Sequence, residues 1–278
     1  MARYGMVVNL DRCVGCYNCQ IACKDEHVGN DFPPVAKSQP TFGHFWMGIE
    51  EVERVVSPSH IRVTYIPVLC QQCADAPCIS AAKNGAVYRR SDGIVIIDPV
   101  KAVGQKQLAA SCPYGVIFWN EDSNLPQKCT FCAHLLDDGW KEPRCVQTCP
   151  AGCLSFGDLE DASSAAAKLL EETQAETWHP EFKAKPNVYY AGLPKPMLSG
   201  RVLFADKNEW AENVNVTLTD QAGAKRECRT DAFGDFVFDR LEAKTYTLSL
   251  EAPGYAHQSR EVAVKADISN LGDIKLRN

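Results

Sequence analysis

The chain has 278 residues, 45% hydrophobic and 23% charged, enough for two globular domains with real cores and too apolar for a disordered chain. A net charge of −6 argues against a nucleic-acid partner, which asks for a basic face. No stretch approaches the roughly 18 consecutive apolar residues of a membrane span, and "MARYGMVVNLDRC" has neither an apolar signal core nor a twin arginine, so a cytoplasmic location is expected.

Fourteen cysteines are many for such a chain, and thirteen of them precede residue 154. In a reducing compartment, metal explains that density better than disulfides. The first run, "CVGCYNCQIAC", holds Cys13, Cys16, Cys19 and Cys23 at spacings x2, x2, x3. Three thiolates on one tight loop suit one face of a cubane iron–sulfur cluster, and the fourth serves a different cluster. A zinc knuckle, the competing reading, wants paired CxxC motifs. The second run, "CQQCADAPC", holds Cys70, Cys73 and Cys78, and its expected fourth position is Ala82. The third, "KAVGQKQLAASCP", keeps only the closing Cys112. Counting back by the usual spacing lands on Leu108, Gln105 and Ala102. The fourth, "CTFC … CVQTCP", holds Cys129, Cys132, Cys145 and Cys149. Gly15 and Pro77 are expected to shape these loops, with backbone N–H groups donating to sulfur.

In a two-cluster ferredoxin each run gives three ligands to its own cluster and its last cysteine to the partner's. If the first run pairs with the fourth and the second with the third, three complete sets follow. Cluster A takes Cys13, Cys16, Cys19 and Cys149; cluster B takes Cys23, Cys129, Cys132 and Cys145; cluster C takes Cys70, Cys73, Cys78 and Cys112. A fourth set would use positions 82, 102, 105 and 108, and all four of its ligands are replaced. On this pairing the losses fall on one site, and Cys112 survives because it serves cluster C. The emptied site is expected to pack as ordinary core. Cys153 and Cys228 remain, and both read as buried free thiols.

The segment His134–Arg144 reads as an insert between the halves of the fourth run, with Asp137 and Asp138 solvated. His27, His44, His60, His134, His179 and His257 share no ligand spacing and read as surface or core residues. Phe45, Trp46, Phe118 and Trp119 read as core or as anchors of a subunit interface. "DASSAAAKLLEETQAE" (161–176) predicts a helix capped by Asp161 or Ser163. Lys185–Tyr190 is a strand candidate, and the Pro- and Gly-rich Gly192–Gly200 reads as a linker. Beyond Gly200 the period turns to two: Val214, Val216 and Leu218; Phe236 and Phe238; Tyr246, Leu248 and Leu250; Val262 and Val264; Ile274 and Leu276. Turn signals separate these runs, as in a small antiparallel sandwich. That pattern resembles the carboxypeptidase regulatory-like, transthyretin-like domains, and it holds no catalytic set.

The segments "DRCVGCYNCQIAC", "VLCQQCADAPC", "IDPVKAVGQKQLAASCPYG" and "QKCTFCAHLLDDGWKEPRCVQTCPAGCLSFGDL" resemble the four-cluster electron-transfer subunits of molybdopterin oxidoreductases of the DMSO reductase family, over roughly residues 1–190. The missing cluster, the "GHFWMGIE" segment and the sandwich tail resemble in particular the small subunits of anaerobic phenol-ring transhydroxylases and resorcinol hydroxylases. The resemblance implies an α+β chain: a duplicated bacterial ferredoxin-like domain (1–194) with three [4Fe–4S] clusters, then a transthyretin-like or Ig-like β-sandwich (195–278). It implies a molybdenum bis-pterin and the phenol on a separate large catalytic subunit, the two chains forming a heterodimer or higher assembly. A partner reducing an inorganic or sulfur compound is the alternative. It further implies that cluster C lies beyond the lost site, leaving a gap between B and C and a mainly structural role for C.

Overall fold

The computed structural model describes residues 2–58 and 60–278. The chain divides into two compact units: the segment up to Glu51 with Tyr65–Leu193, and Val52–Thr64 with Pro194–Asn278. Strands dominate and the helices are short.

The first unit is organised by a four-stranded sheet with strand order Leu154–Asp158, Tyr4–Asn9, Val188–Ala191, Glu176–Thr177. Tyr4–Asn9 runs antiparallel to Leu154–Asp158 and parallel to Val188–Ala191. Met6, Val7 and Val8 are fully buried, so this central strand is a continuous apolar run rather than an alternating one. Val7 packs with Leu159 and Ala166 beneath the helix Ala165–Thr173. That helix starts later than its sequence suggests. Ser164 is the N-cap, its Oγ accepting from Ala167 N at 3.1 Å. Asp161 instead closes the preceding turn, accepting from Ser163 N at 2.8 Å. The strand expected at Lys185–Tyr190 forms at Val188–Ala191.

The cysteine runs are carried by two pairs of short helices: Asn18–His27 with Arg144–Gln147, and Pro77–Ala81 with Gln107–Ala110. An x3 spacing is about one helical turn. Cys19 and Cys23 therefore share one face of the first helix, and Cys145 and Cys149 stand in the same relation along the facing chain. Pro77 occupies the first position of its helix, where its missing N–H costs no intrahelical bond. Trp46, one of the four aromatics set down as core or interface, is 2% exposed and packs on His27 with ring centroids 4.6 Å apart. It is core and cannot anchor a subunit interface.

The second unit is a sandwich of two four-stranded sheets. In one, Met197–Phe204 pairs with Glu209–Trp210, with Asp235–Phe238 and, in parallel, with Ile268–Leu276. In the other, Lys225–Arg229, Asn215–Thr219, Thr245–Glu251 and Gln258–Ala263 are antiparallel throughout. Every residue of the period-two pattern, from Val214 to Leu276, lies in one buried core. The linker is shorter than its composition suggests, because the first strand already begins at Met197. The distal part of the hairpin Met47–Ser57/His60–Leu69 also belongs to this unit. Ser199 Oγ donates to Val56 O at 2.6 Å, and Arg54 Nη1 donates to Lys195 O at 2.8 Å.

Candidate iron–sulfur sites

Set A gathers Cys13, Cys16, Cys19 and Cys149 around a cavity with about 330 Å³ of empty space, part of it open to solvent. The strand Tyr4–Asn9 delivers the chain through a 3-10 turn, Leu10–Arg12, to Cys13. Gly15 then takes a positive φ of 63°, and a Cβ there would meet the Tyr65 ring at 2.6 Å. Only glycine suits both the conformation and the approach. The Gly15 and Gln20 backbone N–H groups favour the thiolates of Cys13 and Cys19 respectively. Cys153 lines the same cavity; its backbone N–H lies 3.3 Å from Cys149 Sγ, and its thiol is hydrogen-bonded to Cys13.

Set B is Cys23, Cys129, Cys132 and Cys145, all buried. Burial, and then the nearness of Cys129 and Cys132, pushes the Cys23 thiol well up; burial and then Cys132, Cys129 and Cys23 do the same to Cys145. Phe131 and Cys132 adopt positive φ values of 52° and 49°. That turn brings the Phe131 N–H to 3.4 Å from Cys129 Sγ. Gln39 reaches Cys23 from its side chain. His27, 1% exposed, sets Nε2 at 4.0 Å from Cys132 Sγ. Burial and then His134 hold the His27 pKa down at about 3, so the ring is neutral. His134 in turn sits 3.1 Å from Glu26, which also pairs with Arg144. Asp137 is exposed, as expected, and forms an ion pair with Arg90 at 2.5 Å.

Set C places Cys70, Cys73, Cys78 and Cys112 around about 340 Å³ of partly open space, with Tyr114, Ile117 and Lys128 in the wall. Burial first, and then neighbouring sulfurs, pushes Cys73 up to about 12. Burial pushes Cys78 up to about 11, partly offset by the Lys128 charge.

Four thiols crowded in a desolvated wall are poor company as bare anions, since each one's burial and its neighbours' charges disfavour the thiolate. A cationic iron–sulfide core bound by all four reverses that balance and releases the protons. Among the described residues no three His, Cys, Asp or Glu side chains close on a point suited to a single metal ion. The donor chemistry, four free thiols to a set, fits a cubane.

The sets adjoin one another in the order A, B, C. Cys19 of set A acts on Cys145 of set B. Cys70 of set C acts on Cys129 of set B, and Gln72 Nε2 donates to the Cys129 carbonyl at 3.1 Å. No empty site separates B from C, so the gap expected there is a misreading. The replaced positions lie on the other flank of C: Ala82, Ala102 and Leu108 pack with Cys73, Cys78 and Cys112 in one apolar cluster. Gln105 accepts from Lys83 N at 2.9 Å and donates to Lys101 O at 2.8 Å. The position of a ligand is thus taken by an amide that ties the chain to itself.

Residues 61–159 match the 4Fe-4S dicluster domain, and residues 197–277 match the carboxypeptidase regulatory-like domain. The chain is 41% identical to the pyrogallol hydroxytransferase small subunit of Pelobacter acidigallici, over 99% of this chain and 100% of that one. The chain belongs to this family of iron–sulfur electron-transfer subunits. A tetrathionate reductase subunit of Salmonella typhimurium is 31% identical over 76% of this chain and 80% of that one. The thiosulfate reductase electron transfer subunit of Salmonella typhi is 34% identical over 58% of this chain and 78% of that one. No helix among the described residues is long and apolar enough to cross a membrane. Lys128, His27 and Gln39 were missed by sequence reasoning. Each acts on the cysteines, Lys128 through its charge alone, from a place where spacing gives no warning.

Proposed function

We propose that the chain carries three [4Fe–4S] clusters in a duplicated ferredoxin-like domain, residues 1–194, followed by a sandwich, 195–278. Cys13, Cys16, Cys19 and Cys149 hold cluster A; Cys23, Cys129, Cys132 and Cys145 hold B; Cys70, Cys73, Cys78 and Cys112 hold C. Its partner is a large molybdopterin subunit that hydroxylates or transhydroxylates phenolic rings, and this chain is the non-catalytic member of the pair. The observation that carries the reading is the 41% identity to the pyrogallol hydroxytransferase small subunit along essentially both full lengths. The sorting of twelve cysteines into three adjoining sets supports it.

A [4Fe–4S] cluster, when bound, takes up and releases one electron at a time. The chain's own residues hold the sets in sequence, keep water from set B by burying all four of its cysteines, and aim N–H groups at the sulfurs. Metal analysis of the anaerobically purified complex tests the reading. About twelve irons per copy of this chain, the sum for three cubanes, are expected, with molybdenum only when a larger chain co-purifies. About sixteen irons with no cluster in the partner, or zinc in place of iron, overturn it. The tetrathionate and thiosulfate relatives support a second reading, a sulfur-compound reductase. Turnover of trihydroxybenzenes against turnover of tetrathionate or thiosulfate separates the two.

A further inference from the structure

Lysine is almost never buried without a partner, yet Lys128 is 2% exposed. Its Nζ donates to the carbonyls of Val95 and, at 3.0 Å, of Cys129. Among the described residues no carboxylate pairs with it. Lys128 lines the set C cavity together with all four cysteines of that set. Its charge is felt at Cys78 and Cys112 of set C and at Cys129 of set B. The two sets meet here, since Cys70 acts on Cys129. Lys128 is therefore a single desolvated cation at the junction of two clusters of sulfur ligands.

Burying an ammonium costs several kcal/mol unless opposite charge lies close. The carbonyl bonds satisfy part of its hydrogen-bonding capacity but do not neutralise it. Cubanes held by four thiolates are net anionic, and they supply the missing charge from both sides. The same physics acts in reverse on the clusters. One-electron reduction adds a negative charge, and a fixed cation in a medium of low dielectric stabilises the reduced form more than the oxidised one. We infer that Lys128 is an electrostatic tuning residue that raises the reduction potential of cluster C, and of B to a lesser degree, and offsets the repulsion between the two buried anions. This rests on the ligand sets proposed above.

The test is an EPR-monitored potentiometric titration of the anaerobically purified complex, with iron and sulfide measured on every sample. The signal of cluster C is assigned as the one lost in Cys112→Ala. Lys128→Met removes charge and donor, Lys128→Gln removes charge but keeps a donor, and Lys128→Arg keeps the charge. With iron at the wild-type level, the C signal is expected at lower potential in both Met and Gln variants, with a smaller fall for B, and near wild type in the Arg variant. Unchanged potentials at full iron overturn the inference. So does a fall in the Met variant that Gln restores, because the hydrogen bonds alone would then be responsible. Loss of cluster C in both neutral variants but not in Arg supports the charge role. Its loss in all three makes Lys128 a packing residue and overturns that role. A wild-type complex without three clusters fails the ligand assignment instead, and the iron figure shows which has failed.

Discussion

Cys13 and Cys153 face each other across one hydrogen bond in the wall of set A, and two sulfurs share its hydrogen. That bond holds Cys13 below the usual thiol range and Cys153 above it. A metal ligand is the thiolate, and a thiol that keeps its proton is a donor. Cys153 thus offers its S–H to Cys13 and its backbone N–H to Cys149, touching two cysteines of set A with two different donors. We predict that Cys153→Ala keeps about twelve irons per chain, whereas Cys145→Ala, which removes a ligand of set B, leaves about eight. Iron and sulfide determination on both anaerobic preparations checks this, and loss of a cluster from Cys153→Ala would mean that set A is wrongly drawn. The grouping of the cysteines around common spaces was legible in the sequence because the spacing within each run is local, a loop and one helical turn. Lys128 and Gln39 were not. Lys128 meets Val95, 33 residues earlier, and "PQKC" by itself reads as a solvated lysine. His27 meets Cys132 across 105 residues, so its spacing to any cysteine run carries no signal.

At the scale of elements, three of the short helices beside the cysteine runs start from a left-handed residue or a proline. Tyr17 precedes Asn18–His27 in the left-handed region, Cys132 does the same before Ala133–Asp137, and Pro77 opens its own helix. The turn at Gly15 is the tightest of these entries, because its positive φ coincides with the Tyr65 ring. Gly15→Ala adds a left-handed L-residue, a cost of about 1–2 kcal/mol, and drives a methyl group against an aromatic face. Reduced iron occupancy at set A is the expected outcome, with sets B and C retained. A cluster-by-cluster EPR count of the variant checks it, and full occupancy at A would show that Tyr65 yields. Five of the sandwich strands were readable because alternation survives wherever one face is buried, whereas Met197–Phe204 was partly taken for linker and Glu209–Trp210 and Lys225–Arg229 gave no such signal. Helix Ala165–Thr173 was readable in kind but not in its cap: Asp161, Ser163 and Ser164 are all good cap residues, and only the fold shows that Asp161 closes a turn. The hairpin Met47–Ser57/His60–Leu69 escaped because part of it belongs with a unit that begins more than a hundred residues later.

At the scale of the molecule, the two units differ in what fills them. The second has a continuous apolar core of strands from both sheets. The first holds two partly open, cysteine-lined spaces, together with a third set of four buried thiols. Emptied of iron, those sites lose the contacts and charge balance that a bound core supplies. Where the binding site forms only on folding, the free energy of metal binding is also free energy of folding. The emptied fourth position shows the alternative, since Ala102, Leu108 and Gln105 close it with ordinary packing and an amide. Stability should therefore respond to iron unevenly. In differential scanning calorimetry of the full chain, chelation under anaerobic conditions is expected to lower the transition of the first unit by well over about 10 °C, because a domain of this size moves about 2–4 °C per kcal/mol and three clusters contribute many kcal/mol. The transition of the sandwich unit should stay where it was. Equal shifts in both transitions would show that the sandwich depends on the iron-bearing unit for its own fold, and no shift in either would mean that the cysteine-lined spaces are not filled by metal at all.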